Sequence, residues 1–253
     1  MVKIRNTLIA ANWKMYKTVG EAANFVKDFL PQVVGGAEVD IVICPPFTCL
    51  PYLSAGLKDS SVQLGAQDVF WEKQGAYTGE ISTVMLQDLG CRYIIVGHSE
   101  RRHIIGESDL IINRKLKAIS GAGMVPILCV GETLPEREQN QAREVVRLQL
   151  EQGLRDVAAP ELVVAYEPVW AIGTGINANP ADAQEMTGFI REYLAILYDK
   201  TWAEGVRILY GGSVKPDNIA QFAAQPDVDG ALVGGASLDA HDFAQIVRFN
   251  SNV

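Results

Sequence analysis

The stretch ELVVAYEP, residues 161–168, sets a continuous apolar run directly before one carboxylate and a proline. Continuous apolar runs, unlike alternating ones, are typical of parallel strands that are covered on both faces. Comparable apolar and β-branched runs recur along the chain, separated by segments with helical periodicity. The other runs are TLIAANW (7–13), VDIVICPP (39–46), VQLGAQ (62–67), YIIVGHS (93–99), MVPILCVGE (124–132), VRILYGGS (206–213) and DGALVGG (229–235).

Eight strand-then-helix units predict a (β/α)8 barrel as the fold class, with residues 1–253 in one barrel domain. No linker or low-complexity break separates the units. A doubly wound open sheet is the alternative fold. That fold typically has fewer strands and a glycine-rich turn after the first one, and residues 7–13 carry no such turn.

Composition and charge narrow the choice of partners and compartment. The formal net charge of −8 argues against nucleic acid and anionic membranes as partners. No apolar run approaches the roughly 20 residues of a membrane-spanning helix, and residues 1–14 do not resemble a signal peptide. The four cysteines lack paired spacing and nearby histidines, which predicts reduced thiols in a cytoplasmic protein rather than disulfides or zinc ligands. They are Cys44, Cys49, Cys91 and Cys129.

Polar residues or glycines follow the apolar runs on their C-terminal side. In a (β/α)8 barrel this face carries the active site, so residues far apart in sequence converge around one mouth. The residues concerned are Asn12, Lys14, Gln67, His98, Ser99, Glu132, Glu167, the stretch 211–213, Gly234 and Gly235.

His98 is the only one of three histidines that follows a strand directly. Ser99 comes next and is placed to cap a helix whose positive end lies near the imidazole. That environment disfavours the imidazolium, so we predict a neutral His98 with a pKa below that of free histidine. A neutral imidazole can donate a hydrogen bond to a developing oxyanion and pass a proton between two oxygens. The alternative is a rim histidine that is only hydrogen-bonded to a neighbour.

Two carboxylates and one lysine at strand ends are further candidates. Glu167 is a better candidate base than Glu132, because it begins a flexible segment with two glycines. Glu132, in contrast, leads into an ordinary helix start. For either carboxylate a structural salt bridge is an equal alternative. Lys14 is either a surface lysine or a fixed positive charge beside an anionic substrate.

Glycine pairs follow the last two predicted strands, in YGGSV (210–214) and LVGGASL (232–238). Their backbone N–H groups can cradle a phosphate, and the loops after strands seven and eight are the usual phosphate site of a (β/α)8 barrel. A carboxylate base, a neutral histidine, a lysine and a phosphate cradle together indicate enolisation of a small phosphorylated sugar. This chemistry needs no metal and no other cofactor, and the sequence offers no H-x-x-E-type metal cluster.

Several motifs resemble those of the triosephosphate isomerase family, in order and over essentially the whole chain. They are AANWKMY (10–16), GAQD (65–68), GAYTGEIS (75–82), VGHSERR (96–102), AYEPVWAIGTG (165–175), YGGSVKPDN (210–218) and GALVGGASL (230–238). The resemblance implies a TIM barrel that interconverts D-glyceraldehyde 3-phosphate and dihydroxyacetone phosphate, in glycolysis and gluconeogenesis.

The resemblance also implies a role for individual residues. Glu167 is similar to the catalytic base and His98 to the electrophile, in a family that is the standard example of a glutamate base paired with a neutral histidine. Lys14 corresponds to the substrate-facing cation, Asn12 to a substrate contact and Glu100 to a carboxylate near that lysine, with Ser99 in support. The residues that match the phosphate-binding groups are Gly173, Ser213, Gly234 and Gly235.

The segment after Glu167 resembles the lid of this family. Pro168 to Trp170 and Ile176 to Ala178 would be its hinges and Ala171 to Gly175 its tip, which closes over the substrate. One segment and one further residue depart from the family pattern. Ile176-Asn177-Ala178 replaces the usual Lys-Thr-Ala where the lid ends, and Asp68 replaces a frequent asparagine.

The segment FWEKQGAYTGEIS (70–82) has two interpretations. Taken alone it is a self-packed surface loop. The resemblance implies that it docks into a second copy of the chain, with Thr78 near that copy's Asn12 and Lys14, in an isologous homodimer. Two rival functions remain: a Schiff-base aldolase with Lys14 as nucleophile, and a non-catalytic phosphate-binding barrel.

Overall fold

Eight parallel strands close into a barrel in the computed structural model, which describes residues 5–34, 39–158, 161–171 and 178–250. Every strand pairs with its sequence neighbours, and β8 pairs with β1. The predicted (β/α)8 barrel is therefore confirmed and the open sheet is wrong, whereas the extent of the domain over 1–253 stays a prediction. The strands are β1 (Thr7–Asn12), β2 (Val39–Cys44), β3 (Val62–Ala66), β4 (Tyr93–Val96), β5 (Val125–Val130), β6 (Val163–Tyr166), β7 (Arg207–Tyr210) and β8 (Gly230–Val233).

Helices surround the barrel and follow the strands along the chain. Several of them begin with a side-chain cap, such as the capping box at Thr18 and Glu21 that begins the first helix. The helices are α1 (Val19–Val33), α2 (Leu50–Gly56), α3 (Thr83–Asp88), α4 (Asp109–Gly121), α5 (Leu134–Glu138), α6 (Ala142–Gly153), α7 (Pro180–Leu197), α8 (Lys200–Gly205), α9 (Ile219–Ala223) and α10 (Ala240–Val247).

Both faces of the barrel wall are buried, which explains the continuous apolar runs. In β1, Leu8 and Ala10 belong to the inner core of the barrel, whereas Ile9 and Ala11 pack in the outer core against the helices. All four are inaccessible to solvent. A strand with two buried faces has no polar side to alternate with its apolar side.

Closure of the barrel depends on a glycine at the start of β8. Gly230 has φ +135°, and a Cβ there would overlap with the carbonyl group of Leu8 on β1. Glycine alone combines this backbone angle with so close an approach between strands.

The strands end just before the polar residues that were predicted to form the site. β4 ends at Val96, two residues before His98, and β6 ends at Tyr166, next to Glu167. The ladder runs slightly further, since the N–H of Glu167 donates to the carbonyl of Val130 over 2.8 Å. The backbone of Glu167, the candidate base, is thus held at the end of β6 by the hydrogen bonds of the sheet.

Within the described ranges, no helix combines the length and apolar character that crossing a membrane requires. The four cysteines are buried and free.

Candidate active site

A cavity of about 620 Å³ opens at the C-terminal ends of the strands. The structure brings most of the predicted site residues to its wall: Asn12, Lys14, His98, Glu167, Ser213, Gly234 and Gly235. Gly173, predicted to bind phosphate, lies outside the described residues, as do Ile176 and Asn177 of the predicted hinge.

Glu167 lies at the floor of this cavity and is 2% exposed. Its Oε1 is 3.0 Å from Nε2 of His98, and its Oε2 accepts a hydrogen bond from the backbone N–H of Ser99 over 2.9 Å. Burial by itself raises the pKa of this carboxyl. The imidazole, the Ser99 N–H and the ammonium of Lys14 outweigh burial, so the pKa of Glu167 is lowered. Glu167 is therefore ionised near pH 7, as a general base must be.

The ring of His98 caps the helical turn that follows it. Its Nδ1 accepts a hydrogen bond from the backbone N–H of Glu100 over 3.2 Å, and its carbonyl accepts from the N–H groups of Arg101 and Arg102. The predicted capping role of Ser99 is wrong, because the helical turn already begins at Ser99 and its N–H is directed to Glu167 instead. An acceptor at Nδ1 leaves the ring proton on Nε2, which faces Glu167.

The prediction of a lowered pKa for His98 is wrong while the ring contacts Glu167. Burial is the strongest influence and lowers the pKa, but the carboxylates of Glu167 and Glu100 together outweigh it and the pKa is raised. The prediction considered the helix end alone and not a carboxylate in direct contact. The Glu100 N–H acts in the opposite sense, because its hydrogen bond to Nδ1 exists only in the neutral imidazole.

Lys14 is held in an unusual backbone conformation beside the cavity, with φ 52°. Its N–H donates to Oδ1 of Asn12 over 3.1 Å and its carbonyl accepts from Nε2 of Gln67 over 2.9 Å. Its Nζ lies 2.6 Å from Oε1 of Glu100. Two side chains thus fix the left-handed backbone that L-residues rarely adopt, and a third fixes the ammonium.

Backbone from the ends of β7 and β8 forms the opposite wall of the cavity. A Cβ on Gly234 would be 3.4 Å from Cε of Lys14, so the lysine chain lies along this wall. Gly211 has less space, because a Cβ there would be 2.9 Å from Cγ of Glu167. A 3₁₀ turn, Gly235–Leu238, continues from the second glycine pair. Exposed peptide groups and a nearby ammonium suit a phosphate.

Glu132 does not reach the cavity. It is fully buried and accepts hydrogen bonds from the hydroxyl of Tyr166 and, over 2.8 Å, from Nε1 of Trp170. Arg137 lies 3.4 Å from the same carboxylate and 4.4 Å from the centre of the Trp170 ring. The salt-bridge alternative thus describes Glu132, and this cluster anchors the first predicted hinge of the lid.

Sequence reasoning gave no role to Gln67 and none to Asp68. Gln67 bridges the carbonyls of Lys14 and Cys44. Asp68 is buried, with Lys115 at 2.6 Å and Arg101 at 2.9 Å. The only available signal for Asp68 was its position after a strand end, since its cations lie in a later helix and turn. Within the described residues, no group of three or more His, Cys, Asp and Glu side chains could hold a metal ion.

Comparison with known proteins agrees with the site. The family model described as triosephosphate isomerase matches residues 7–250. A triosephosphate isomerase of Moorella thermoacetica is 54% identical over 250 residues, which cover 98% of this chain and 100% of that protein. The triosephosphate isomerase of Chloroflexus aurantiacus is 53% identical over 249 residues, covering 97% of this chain and 100% of the relative. The chain belongs to the triosephosphate isomerase family.

Proposed function

We propose that this protein interconverts D-glyceraldehyde 3-phosphate and dihydroxyacetone phosphate through an enediol(ate) intermediate. The observation that carries the proposal is the buried carboxylate of Glu167, 3.0 Å from the imidazole of His98, at the floor of a cavity that Lys14 and the glycine pairs also line. The names of the relatives support the same reaction.

Glu167 removes the proton from the carbon next to the substrate carbonyl, and the electron pair moves to the carbonyl oxygen. His98 donates its Nε2 proton to that oxygen and takes up the proton of the neighbouring hydroxyl. Glu167 then returns its proton to the adjacent carbon, which completes the isomerisation without net change in the enzyme. A substrate seated between the two side chains replaces their mutual hydrogen bond.

Lys14 supplies a positive charge to the phosphate and to the developing oxyanion, and Asn12 holds the loop of Lys14. Ser213, Gly234 and Gly235 bind the phosphate, and Glu100 and Ser99 support Lys14 and Glu167. By resemblance, Gly173 in the lid adds a phosphate contact when the lid closes. Neither a metal nor a cofactor takes part in these steps.

A coupled assay that follows conversion of glyceraldehyde 3-phosphate tests the proposal. A non-catalytic phosphate-binding barrel predicts no turnover. A Schiff-base aldolase predicts an imine that borohydride traps with a ketose phosphate, whereas an isomerase leaves none.

We also infer a homodimer and a cytoplasmic location. The free, buried cysteines are consistent with a reducing compartment. A groove of about 640 Å³ lies beside the active site, and both polar and apolar side chains line it, Lys14 and Asn12 among the polar ones. Its apolar side chains include Met15, which is 94% exposed, and Ile104, which is 78% exposed. Exposed apolar surface of this kind fits a second copy of the chain, whose Thr78 loop the resemblance places here.

Thr78→Arg is expected to give monomers of much lower activity, because a charge at the tip of the docking loop opposes burial in the groove. Light scattering measures the mass, and the coupled assay measures turnover. Thr201→Arg is the matched control, since Thr201 is also exposed but lies at the opposite mouth of the barrel. Fully active monomers of the unmodified protein would contradict the inferred dimer.

Glu167→Gln is expected to lower the pKa of His98, because the substitution removes the larger of the two carboxylate contributions that raise it. An imidazole NMR titration of both proteins measures the change. His103 and His241 are exposed, and unchanged resonances from their rings would show that the substitution leaves the rest of the protein intact. An unchanged His98 titration would mean that the contact with Glu167 does not govern its charge.

A further inference from the structure

A buried amide side chain completes the sheet directly behind the base. Gln149 lies in α6 and is 8% exposed. Its side-chain amide makes two hydrogen bonds to the backbone of Gly131. Its Oε1 accepts from the N–H of Gly131 over 2.8 Å, and its Nε2 donates to the carbonyl of Gly131 over 3.1 Å. The amide thus occupies the position of a neighbouring strand.

Gly131 itself contacts the backbone of Glu167. A Cβ on Gly131 would overlap with the carbonyl group of Glu167, so the two backbones touch. On either side of this contact, the N–H of Glu167 donates to Val130 over 2.8 Å and the N–H of Val169 donates to Glu132 over 3.1 Å. Residues 130–132 therefore run alongside residues 167–169, with the two backbone segments in contact.

On the side of residues 130–132 that faces away from β6, no strand of the described residues lies next to them. In a parallel ladder successive residues point their N–H and C=O groups to opposite sides, so Val130 and Glu132 face β6 and Gly131 faces away. β4 has already ended at Val96. Gln149 supplies the hydrogen bonds that β4 no longer provides, and the segment beneath the base is fixed from both sides.

We propose that Gln149 is a positioning residue for Glu167, acting through Gly131. The proposal rests on the proposed isomerase function, with Glu167 as its base. Displacement of a catalytic group by about 1 Å costs on the order of a hundredfold in rate, so a displacement of a few tenths of an ångström costs roughly tenfold. The phosphate wall is formed by the ends of β7 and β8, whereas Gly131 follows β5 and does not line the cavity, so the effect falls on kcat rather than on KM.

Gln149→Met tests the proposal, because methionine keeps the length of the side chain and removes both hydrogen bonds. Asn113→Leu is the matched control. Asn113 is 6% exposed, and its amide donates to the carbonyls of Gly153 and Arg155, each over 2.8 Å, away from the base. Both variants lose two hydrogen bonds of a buried amide and should lose comparable thermal stability. We expect kcat to fall roughly tenfold in Gln149→Met alone, with KM nearly unchanged.

Two further measurements separate positioning from a merely structural role. In a Glu167→Asp background the base is already displaced, so Gln149→Met should lower kcat by much less than in the unmodified chain. Gln149→Glu keeps an acceptor for the Gly131 N–H, but its ionised form cannot donate to the Gly131 carbonyl. Its kcat relative to the unmodified protein should rise as the pH falls and the carboxyl gains a proton. Should Gln149→Met not fold, Gln149→Glu carries the test.

The outcomes are distinct. Equal kcat losses in Gln149→Met and Asn113→Leu, or independent effects of Gln149 and Glu167, would overturn the positioning role. If the unmodified protein does not isomerise triose phosphates, the proposed function fails and the positioning role fails with it.

Discussion

Glu167→Gln is expected to abolish nearly all isomerase activity, because an amide cannot accept the proton that the reaction removes from carbon. General base catalysis contributes about 10² to 10⁴ in rate, and loss of the Glu167 carboxylate should reach or exceed the upper end. The fold should survive, since the amide oxygen can still accept the hydrogen bond from the Ser99 N–H. Steady-state kinetics with thermal unfolding of the same preparation separates lost chemistry from lost structure.

Glu167→Asp supplies the graded comparison. Its carboxylate retreats by roughly one C–C bond, about 1.5 Å, and displacement of that size costs on the order of a hundredfold or more. We expect activity between that of Glu167→Gln and that of the unmodified protein. Near-normal turnover in the Gln variant would remove Glu167 from its role and leave the site without a base.

The fold could be predicted because the same sequence signal, a continuous apolar run, recurs at each strand of the chain. Each strand of a closed parallel barrel is buried on both faces, so each leaves a continuous apolar run. The convergence of His98 and Glu167 followed from topology alone, since the ends of parallel strands meet at one mouth whatever their distance in sequence.

What could not be predicted depends on contacts between elements. Gln149 lies in the middle of an amphipathic helix, where its spacing indicates only a partly buried face. Its role appears once α6 packs beside the end of β5. The raised pKa of His98 could not be predicted for the same reason, because the carboxylate of Glu167 lies 3.0 Å away and no local pattern indicates it. The structural role of Asp68 is its ion pairs with Lys115 and Arg101, which are distant in sequence and which the fold brings next to it.

Lys14→Met is expected to lower kcat/KM on the order of a thousandfold, because one oriented charge or donor in a water-poor site contributes about that much to the transition state. The ammonium is already oriented by Glu100 at 2.6 Å and lies along the phosphate wall. Removing it weakens phosphate binding and the stabilisation of the oxyanion together, so KM should rise while kcat falls. Lys14→Arg should recover only part of the loss, since a planar guanidinium does not fit the position of a compact ammonium.

Lys17→Met is the matched control, from the same loop and with a similarly positive φ of 74°. The Lys17 ammonium donates to the carbonyl of Leu238 over 2.7 Å and lies near the rings of Trp13 and Phe25, so its loss should affect stability far more than turnover. The same pair of variants also decides between isomerase and Schiff-base aldolase. An imine-forming lysine needs a nitrogen that is free to attack, whereas Nζ of Lys14 lies 2.6 Å from Oε1 of Glu100 in an ion pair. We expect borohydride with dihydroxyacetone phosphate to leave the mass of the unmodified protein unchanged. A reduced adduct that appears in the unmodified protein and in Lys17→Met, but not in Lys14→Met, would make Lys14 a nucleophile and overturn the electrostatic role proposed for it.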